Sequence, residues 1–257
     1  MQDLKVSLIQ ADQTWEDRKA NIDMFASLIA PLPDTDLIVL PEMFHTSFSM
    51  NISLAEHWEQ NVVINQLKSW ASHKQAAIYT SLMVKEAGKF YNRGVFVFPN
   101  GEVTYYDKRK SFGLGGEDKV FTQGNHEQIV AYKGWNINLQ ICYDLRFPEL
   151  IRNRIGADGS PAYDLLIYVA NWPKKRVLHW TTLLKARAIE NQCYVVGVNR
   201  VGTDGNNLEY PGSSAVYNGL GETCLEMNEH EGVSSIVIAY EPLQNLRFNL
   251  PFLKDRK

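Results

Sequence analysis

The chain has 257 residues, 45% hydrophobic and 21% charged, a length that suits one large α/β domain or two small ones and needs no disulfides or structural metal to stand. Its 26 Lys and Arg against 29 Asp and Glu give a net charge of −3, which argues against a nucleic-acid-binding surface, and its most apolar stretches, Leu37–Leu40 and Leu165–Ala170, are too short to span a membrane. The opening MQDLKVSLIQ has no signal-peptide character, and Cys142, Cys193 and Cys224 lack metal-type spacing, so the expected compartment is the reducing cytosol.

Leu4–Gln10 alternates apolar residues over part of its length and predicts a strand. Thr14 opens a Thr-x-x-Asp box closed by Asp17, and Met24, Phe25, Leu28 and Ile29 share one face of the helix expected next. Asp36–Leu40 is a short apolar run of the kind buried on both faces, ended by Pro41-Glu42. A second helix is expected over Val62–Lys74 and a strand over Ala76–Val84. Phe90–Phe98 and Val103–Asp107 flank Asn100-Gly101, two residues that tolerate positive φ, and so predict a hairpin. Strand Trp135–Cys142 then leads to a helix begun by Pro148, followed by strand Leu165–Val169, a long helix near Val177–Asn191, strand Cys193–Asn199 and a hairpin near Asn218–Gly221. The tail Pro242–Lys257 reads as polar and irregular, suited to a surface or a partner.

Three segments echo in the same order. VSLIQAD (6–12) resembles INLQICYD (137–144), DLIVLPE (36–42) resembles DLLIYVANWP (164–173), and FVFPNGEV (96–103) resembles AVYNGLGETC (215–224), each roughly half a chain apart. No Pro-, Gly- or Ser-rich linker separates the copies, which predicts two similar halves within a single domain, residues 1–257.

The segment Ile141 to Glu149 carries the most chemistry. An apolar strand stops at Cys142 and a helix signal follows, a junction where backbone N–H groups favour a thiolate; the bland alternative is an inert buried thiol, to which Cys193 and Cys224 are assigned. The six histidines, at 45, 57, 73, 126, 179 and 230, sit in no papain-like or zincin-like context, so a carboxylate is the other candidate base. Glu42 follows a buried strand at the end where α/β sheets place ligands, yet spacing alone leaves an ordinary loop glutamate equally open. Lys108 would suit an oxyanion, although Lys-Arg-Lys by itself reads as a solvated basic run.

Together, Pro41-Glu42, Tyr106-Asp107-Lys108 with Phe112, Cys142-Tyr143-Asp144-Leu145-Arg146-Phe147-Pro148-Glu149, Asn171-Trp172-Pro173 and Ala186-Arg187-Ala188-Ile189-Glu190-Asn191-Gln192 resemble the nitrilase (carbon-nitrogen hydrolase) superfamily. The resemblance implies a four-layer α-β-β-α sandwich and an amidase needing no metal and no cofactor. It casts Cys142 as nucleophile, Glu42 as general base, Lys108 and the Tyr143 backbone N–H as oxyanion donors, and Glu117 as the second glutamate. Asn171 and Trp172 would line the substrate site. Lys110 stands where the family often has histidine, and is expected to face solvent.

Within the superfamily the motifs are most similar to the omega-amidases, which implies a small anionic amide substrate, 2-oxoglutaramate or 2-oxosuccinamate. Arg176 is the expected carboxylate partner and Arg146 a structural ion pair. The resemblance further implies a homodimer with the tail 242–257 reaching across it. Another small-amide hydrolase, acting on deaminated glutathione or an aliphatic amide, is the near alternative; an idle binding protein of the same fold is the distant one.

Overall fold

The computed structural model describes residues 2–256. Its first half runs β1 (Leu4–Gln10), α1 (Arg18–Ile29), β2 (Leu37–Val39), β3 (Glu56–His57), α2 (Val62–Lys74), β4 (Ala77–Glu86), β5 (Lys89–Val97), β6 (Val103–Asp107) and the single turn α3 (Glu117–Val120). The second runs β7 (Ile129–Tyr132), β8 (Trp135–Ile141), β9 (Leu165–Ala170), α4 (Val177–Asn191), β10 (Tyr194–Asn199), β11 (Val201–Thr203), β12 (Glu209–Pro211), β13 (Ala215–Tyr217), β14 (Thr223–Glu226), β15 (Gly232–Ile238) and α5 (Tyr240–Asn249).

Two sheets share one wiring. The order β15-β1-β2-β4-β5-β6, with β3 pairing β4, matches β7-β8-β9-β10-β13-β14 strand for strand. In each, three central strands are parallel and their flanking neighbours antiparallel. The first two sequence echoes fall on equivalent strands, β1 with β8 and β2 with β9, and the third on the turns between β5 and β6 and between β13 and β14. The edges differ in origin: β7 directly precedes β8, whereas the place beside β1 is taken by β15 from the far end of the chain.

Strand alternation sorts the side chains between interiors. Leu4, Val6, Leu8, Leu37, Val39, Tyr79 and Phe96 enter a core shared with Trp135, Ile137 and Leu139 of the other sheet. Ile9, Ile38, Ile78 and Val95 instead meet Phe25 and Ile29 of α1 and Leu67 and Trp70 of α2. Outside the second sheet, Trp180 and Leu184 of α4 close over Gly197, leaving no room there for a Cβ. Helix, sheet, sheet, helix is the layering expected. Each fully buried Leu, Ile, Val or Phe contributes about 1.5–3 kcal/mol, so the two interiors dominate stability.

Four expectations are corrected. The N-cap of α1 is Asp17, accepting the Ala20 N–H at 2.9 Å, so helix capping starts there and not at Thr14. Pro148 begins only a 3-10 turn, Pro148–Leu150, because Asn153 turns inward to bond Tyr163 O at 2.9 Å and Asn191 O at 3.0 Å, taking the chain out of helix. The tail is not irregular: α5 accommodates Pro242 in its first turn, where an N–H is not needed, and Arg247 is buried on Asp164 at 2.6 Å. Cys193 is buried, but Cys224 is exposed on edge strand β14. Among the described residues no helix is long and apolar enough to cross a membrane.

Candidate active site

The carboxyl ends of β2, β6, β8 and β9 converge, and each delivers one polar side chain. Cys142 follows β8 with φ of 45°, a left-handed conformation that is costly for a residue with a Cβ. The chain turns there into the 3-10 segment Cys142–Arg146. Asp144 holds that turn: its carboxylate accepts the Ile141 N–H at 3.2 Å, the Lys110 N–H at 2.9 Å and the Tyr106 hydroxyl at 2.8 Å. Burial raises the Asp144 carboxyl to about 6.

Lys108 directly follows β6, and its N–H donates to Asn92 O at 3.0 Å. Asn92 and Lys108 are therefore cross-strand neighbours on one face, while Arg93 and Asp107 pair on the other at 2.6 and 2.9 Å. Lys108 Nζ lies 2.9 Å from Glu42 Oε1 and 2.9 and 3.0 Å from the Glu117 oxygens. All three residues are buried. Burial disfavours the ammonium, but the negative charges of Glu117 and Glu42 outweigh it and hold the lysine above its ordinary value. Glu117, at the head of α3, also accepts the Phe112 N–H at 2.6 Å. Glu42 Oε2 accepts the Asn171 N–H at 2.9 Å, and Asn171 Nδ2 donates to Glu42 O at 2.7 Å.

The surroundings of Cys142 oppose loss of its proton. Burial first, then the nearby Glu42 and Glu117 carboxylates, push the thiol well above its ordinary value, with Lys108 opposing only in part. The Cys142 Sγ lies 3.9 Å from Asn171 O.

Cys142 lines a cavity of about 510 Å³ whose walls include Phe48, Phe112, Tyr143, Asn171 and Trp172. The Tyr143 ring packs between Phe112 and Phe147, with centroids 5.1 and 5.2 Å away. Trp172 is fixed by its N–H to Asn199 Oδ1 at 2.7 Å. Arg176 lines the cavity as expected, its guanidinium 5.3 Å over Phe112. Arg146 lines it too: it lies 4.7 Å over Trp172 and meets His179 Nδ1 at 3.2 Å in place of the structural ion pair expected. Lys110, expected in solvent, is half-buried with Nζ 4.9 Å over Phe147.

The structure thus brings Glu42, Lys108, Glu117 and Cys142 together and sets Asn171, Trp172 and Arg176 around the same cavity. It adds Asn92, Asp144 and Arg146, which the sequence reading left out of the site. For Asn92 the signal was register: the Asn100-Gly101 turn pairs Val97 with Val103, and counting back sets Asn92 opposite Lys108.

This fold and this cluster of cysteine, lysine and two glutamates define a hydrolase of carbon-nitrogen bonds other than peptide bonds. The chain belongs to the carbon-nitrogen hydrolase family, whose model matches residues 5–248. It is similar to the omega-amidases YafV of Yersinia enterocolitica and Escherichia coli K12, 39% and 42% identical over 99% of this chain and 97% of each relative. It is 34% identical to a 2-oxoglutaramate amidase of Paenarthrobacter nicotinovorans, over 94% of this chain and 84% of that one. Among solved structures, a superfamily protein of Xanthomonas campestris with an arsenic adduct in its active site superimposes with a TM-score of 0.97 at 41% identity, covering 100% of this chain and 98% of the other. The yeast superfamily member Nit3, 24% identical with a TM-score of 0.87 over 100% and 97% of the two chains, shares the fold.

Proposed function

We propose that the protein is an omega-amidase, hydrolysing the terminal amide of 2-oxoglutaramate or 2-oxosuccinamate to the oxo-diacid and ammonia. One observation carries this reading: a single cavity is lined by Cys142 and two guanidinium groups, Arg146 and Arg176, while the charges of the buried Glu42, Lys108 and Glu117 act on the same cysteine. The names of the similar proteins above support the same substrate class.

Two carboxylates share one ammonium, so the buried cluster carries net negative charge, and a thiolate would add to it. The proton therefore leaves the thiol as the sulfur attacks the amide carbon, passing to Glu42. The carbonyl oxygen gains charge beside Lys108 Nζ and the Tyr143 N–H, donors that count for most in a buried site. Collapse of the tetrahedral intermediate gives the nitrogen the proton held on Glu42, and ammonia leaves behind a thioester on Cys142. Water deprotonated by Glu42 attacks the thioester, releasing the acid and restoring the thiol. Glu117 keeps Lys108 oriented throughout. At the other end of the cavity the substrate carboxylate meets Arg146 and Arg176, whose planar forks suit it and are steadied by the rings they cover.

The proposal extends to assembly: one domain, because β15 completes the first half's sheet, in a cytoplasmic homodimer. Leu178 on α4, Phe248 on α5 and Phe252 beyond it are 71%, 85% and 59% exposed, large apolar groups suited to a second copy. Activity is tested by ammonia release from 2-oxoglutaramate, with deaminated glutathione and a neutral aliphatic amide alongside. Release by the wild type and none by Cys142→Ala is expected; a wild type idle on 2-oxoglutaramate overturns the reading.

A further inference from the structure

We propose that Asn92 is a positioning residue of this site: by holding Oε1 of Glu42 it commits Oε2 to the thiol proton. The inference rests on the amidase reading above. Asn92 Nδ2 donates to Glu42 Oε1 at 2.8 Å and to Glu117 Oε1 at 3.0 Å. Lys108 Nζ donates to the same two oxygens at 2.9 and 3.0 Å. Two donors and two acceptors thus close a ring, set up by the cross-strand pairing of residues 92 and 108.

The amide orientation follows from its neighbours. Turned over, Asn92 would set an acceptor against two carboxylate oxygens at hydrogen-bond distance, a repulsive contact. As it stands, its own Oδ1 is buried with no partner, which is destabilising for a polar atom away from water. The side chain therefore keeps its donor to the glutamates at the expense of its acceptor. Its neutrality matters as much: a second cation would quench the base, and a third carboxylate would repel it. Oε1 is held by two short, strong donors, whereas Oε2 takes the Asn171 N–H at 2.9 Å and only a long contact from Asn171 Nδ2 at 3.4 Å, which leaves it the less firmly held oxygen. Asn171 touches Sγ as well, its carbonyl oxygen 3.9 Å away. The ionisable groups around the pair are Tyr79 from β4, Lys108 just after β6, Glu117 from α3, and Cys142 and Asp144 from the turn after β8.

The test is the pH dependence of kcat/KM for 2-oxoglutaramate in Asn92→Ala and Asn92→Asp. Losing a donor makes a carboxylate easier to protonate, so Asn92→Ala is expected to move the acidic limb up by about one pH unit and to lower kcat about tenfold, with KM changed less than about threefold. Asn92→Asp, which keeps the shape but adds negative charge, moves the limb further. Asn92→Ser, retaining one donor in a smaller volume, falls between wild type and Asn92→Ala and serves if either other variant does not fold. An unmoved limb in the folded variants, or a kcat loss that disappears when rates are scaled to the folded fraction, overturns the role of Asn92 and leaves the amidase reading standing. A wild type without ammonia release removes both.

Discussion

The carboxylate of Asp144 accepts the backbone N–H of Lys110 at 2.9 Å while also accepting that of Ile141 at 3.2 Å. One side chain thereby fastens the segment after β6 to the turn after β8. Lys108 and Cys142 come from different halves of the chain, and this link, with Tyr106 to Gln140 and Arg109 to Leu150, ties their segments together.

That link is sensitive to pH in a definite sense. Burial raises Asp144 from its ordinary 3.8 to about 6, so across that window the folded protein binds more protons than the unfolded one. The stability this group contributes is fully present below 3.8 and is lost as pH rises through about 6. Asp144→Asn has no such titration. The stability advantage of wild type over the variant, measured by urea unfolding, should shrink from acidic to neutral pH; an advantage that grows toward neutrality would contradict the assigned environment.

The backbone at Cys142 sets chemistry against stability. With φ of 45°, a Cβ is strained by about 1–2 kcal/mol, a strain glycine escapes. Cys142→Gly should therefore be at least as stable as Cys142→Ala by denaturant unfolding, although both lose activity. A glycine variant clearly less stable than the alanine variant would mean that the elbow is unstrained.

Removing the shared cation leaves Glu42 and Glu117 buried side by side. Lys108→Met should lose about 3–5 kcal/mol near neutral pH. The pair should then hold a proton in the folded variant that it releases on unfolding above the ordinary carboxylate range, so the deficit shrinks as pH falls. Thermal unfolding between pH 5 and pH 8 checks the sign.

Arg146 and Arg176 are distinguished from the reacting cluster by what they should not affect. Either one replaced by Ala is expected to raise KM for 2-oxoglutaramate by about tenfold or more, the strength of a charge-assisted contact, while leaving turnover of a neutral aliphatic amide near wild type. An unchanged KM in Arg176→Ala would remove that residue from substrate binding.

For assembly, a charge at Phe248 should disrupt an apolar contact between copies without disturbing the core, since this ring is 85% exposed. Light scattering of wild type and Phe248→Glu at micromolar concentration is expected to show dimer and monomer. A monomeric wild type would refute the homodimer.

Local pattern alone located most elements. Val62–Lys74 and Val177–Asn191 are helices over the residues their periodicity marked, and the Asn100-Gly101 turn joins β5 to β6 in the register it implies. Where local pattern misled, a distant partner had intervened. The helix signal at Pro148 lost to Asn153, drawn inward by Tyr163 and Asn191. In the tail, Pro242 masked α5, a helix whose Arg247 finds its buried partner in the distant Asp164.

By itself the sequence determined the strand and helix periods and the two similar halves, because these depend on neighbours along the chain, while Glu42, Lys108, Glu117 and Cys142 were singled out by the resemblance of its motifs to a family. Tertiary structure decided the burial and charges that push the Cys142 thiol up, the pairing of Asn92 with both glutamates, the turn held by Asp144 and the cavity-facing place of Arg146. Those depend on desolvation and on charges brought together from residues 42 to 171, and burial at that range is a property no local pattern encodes.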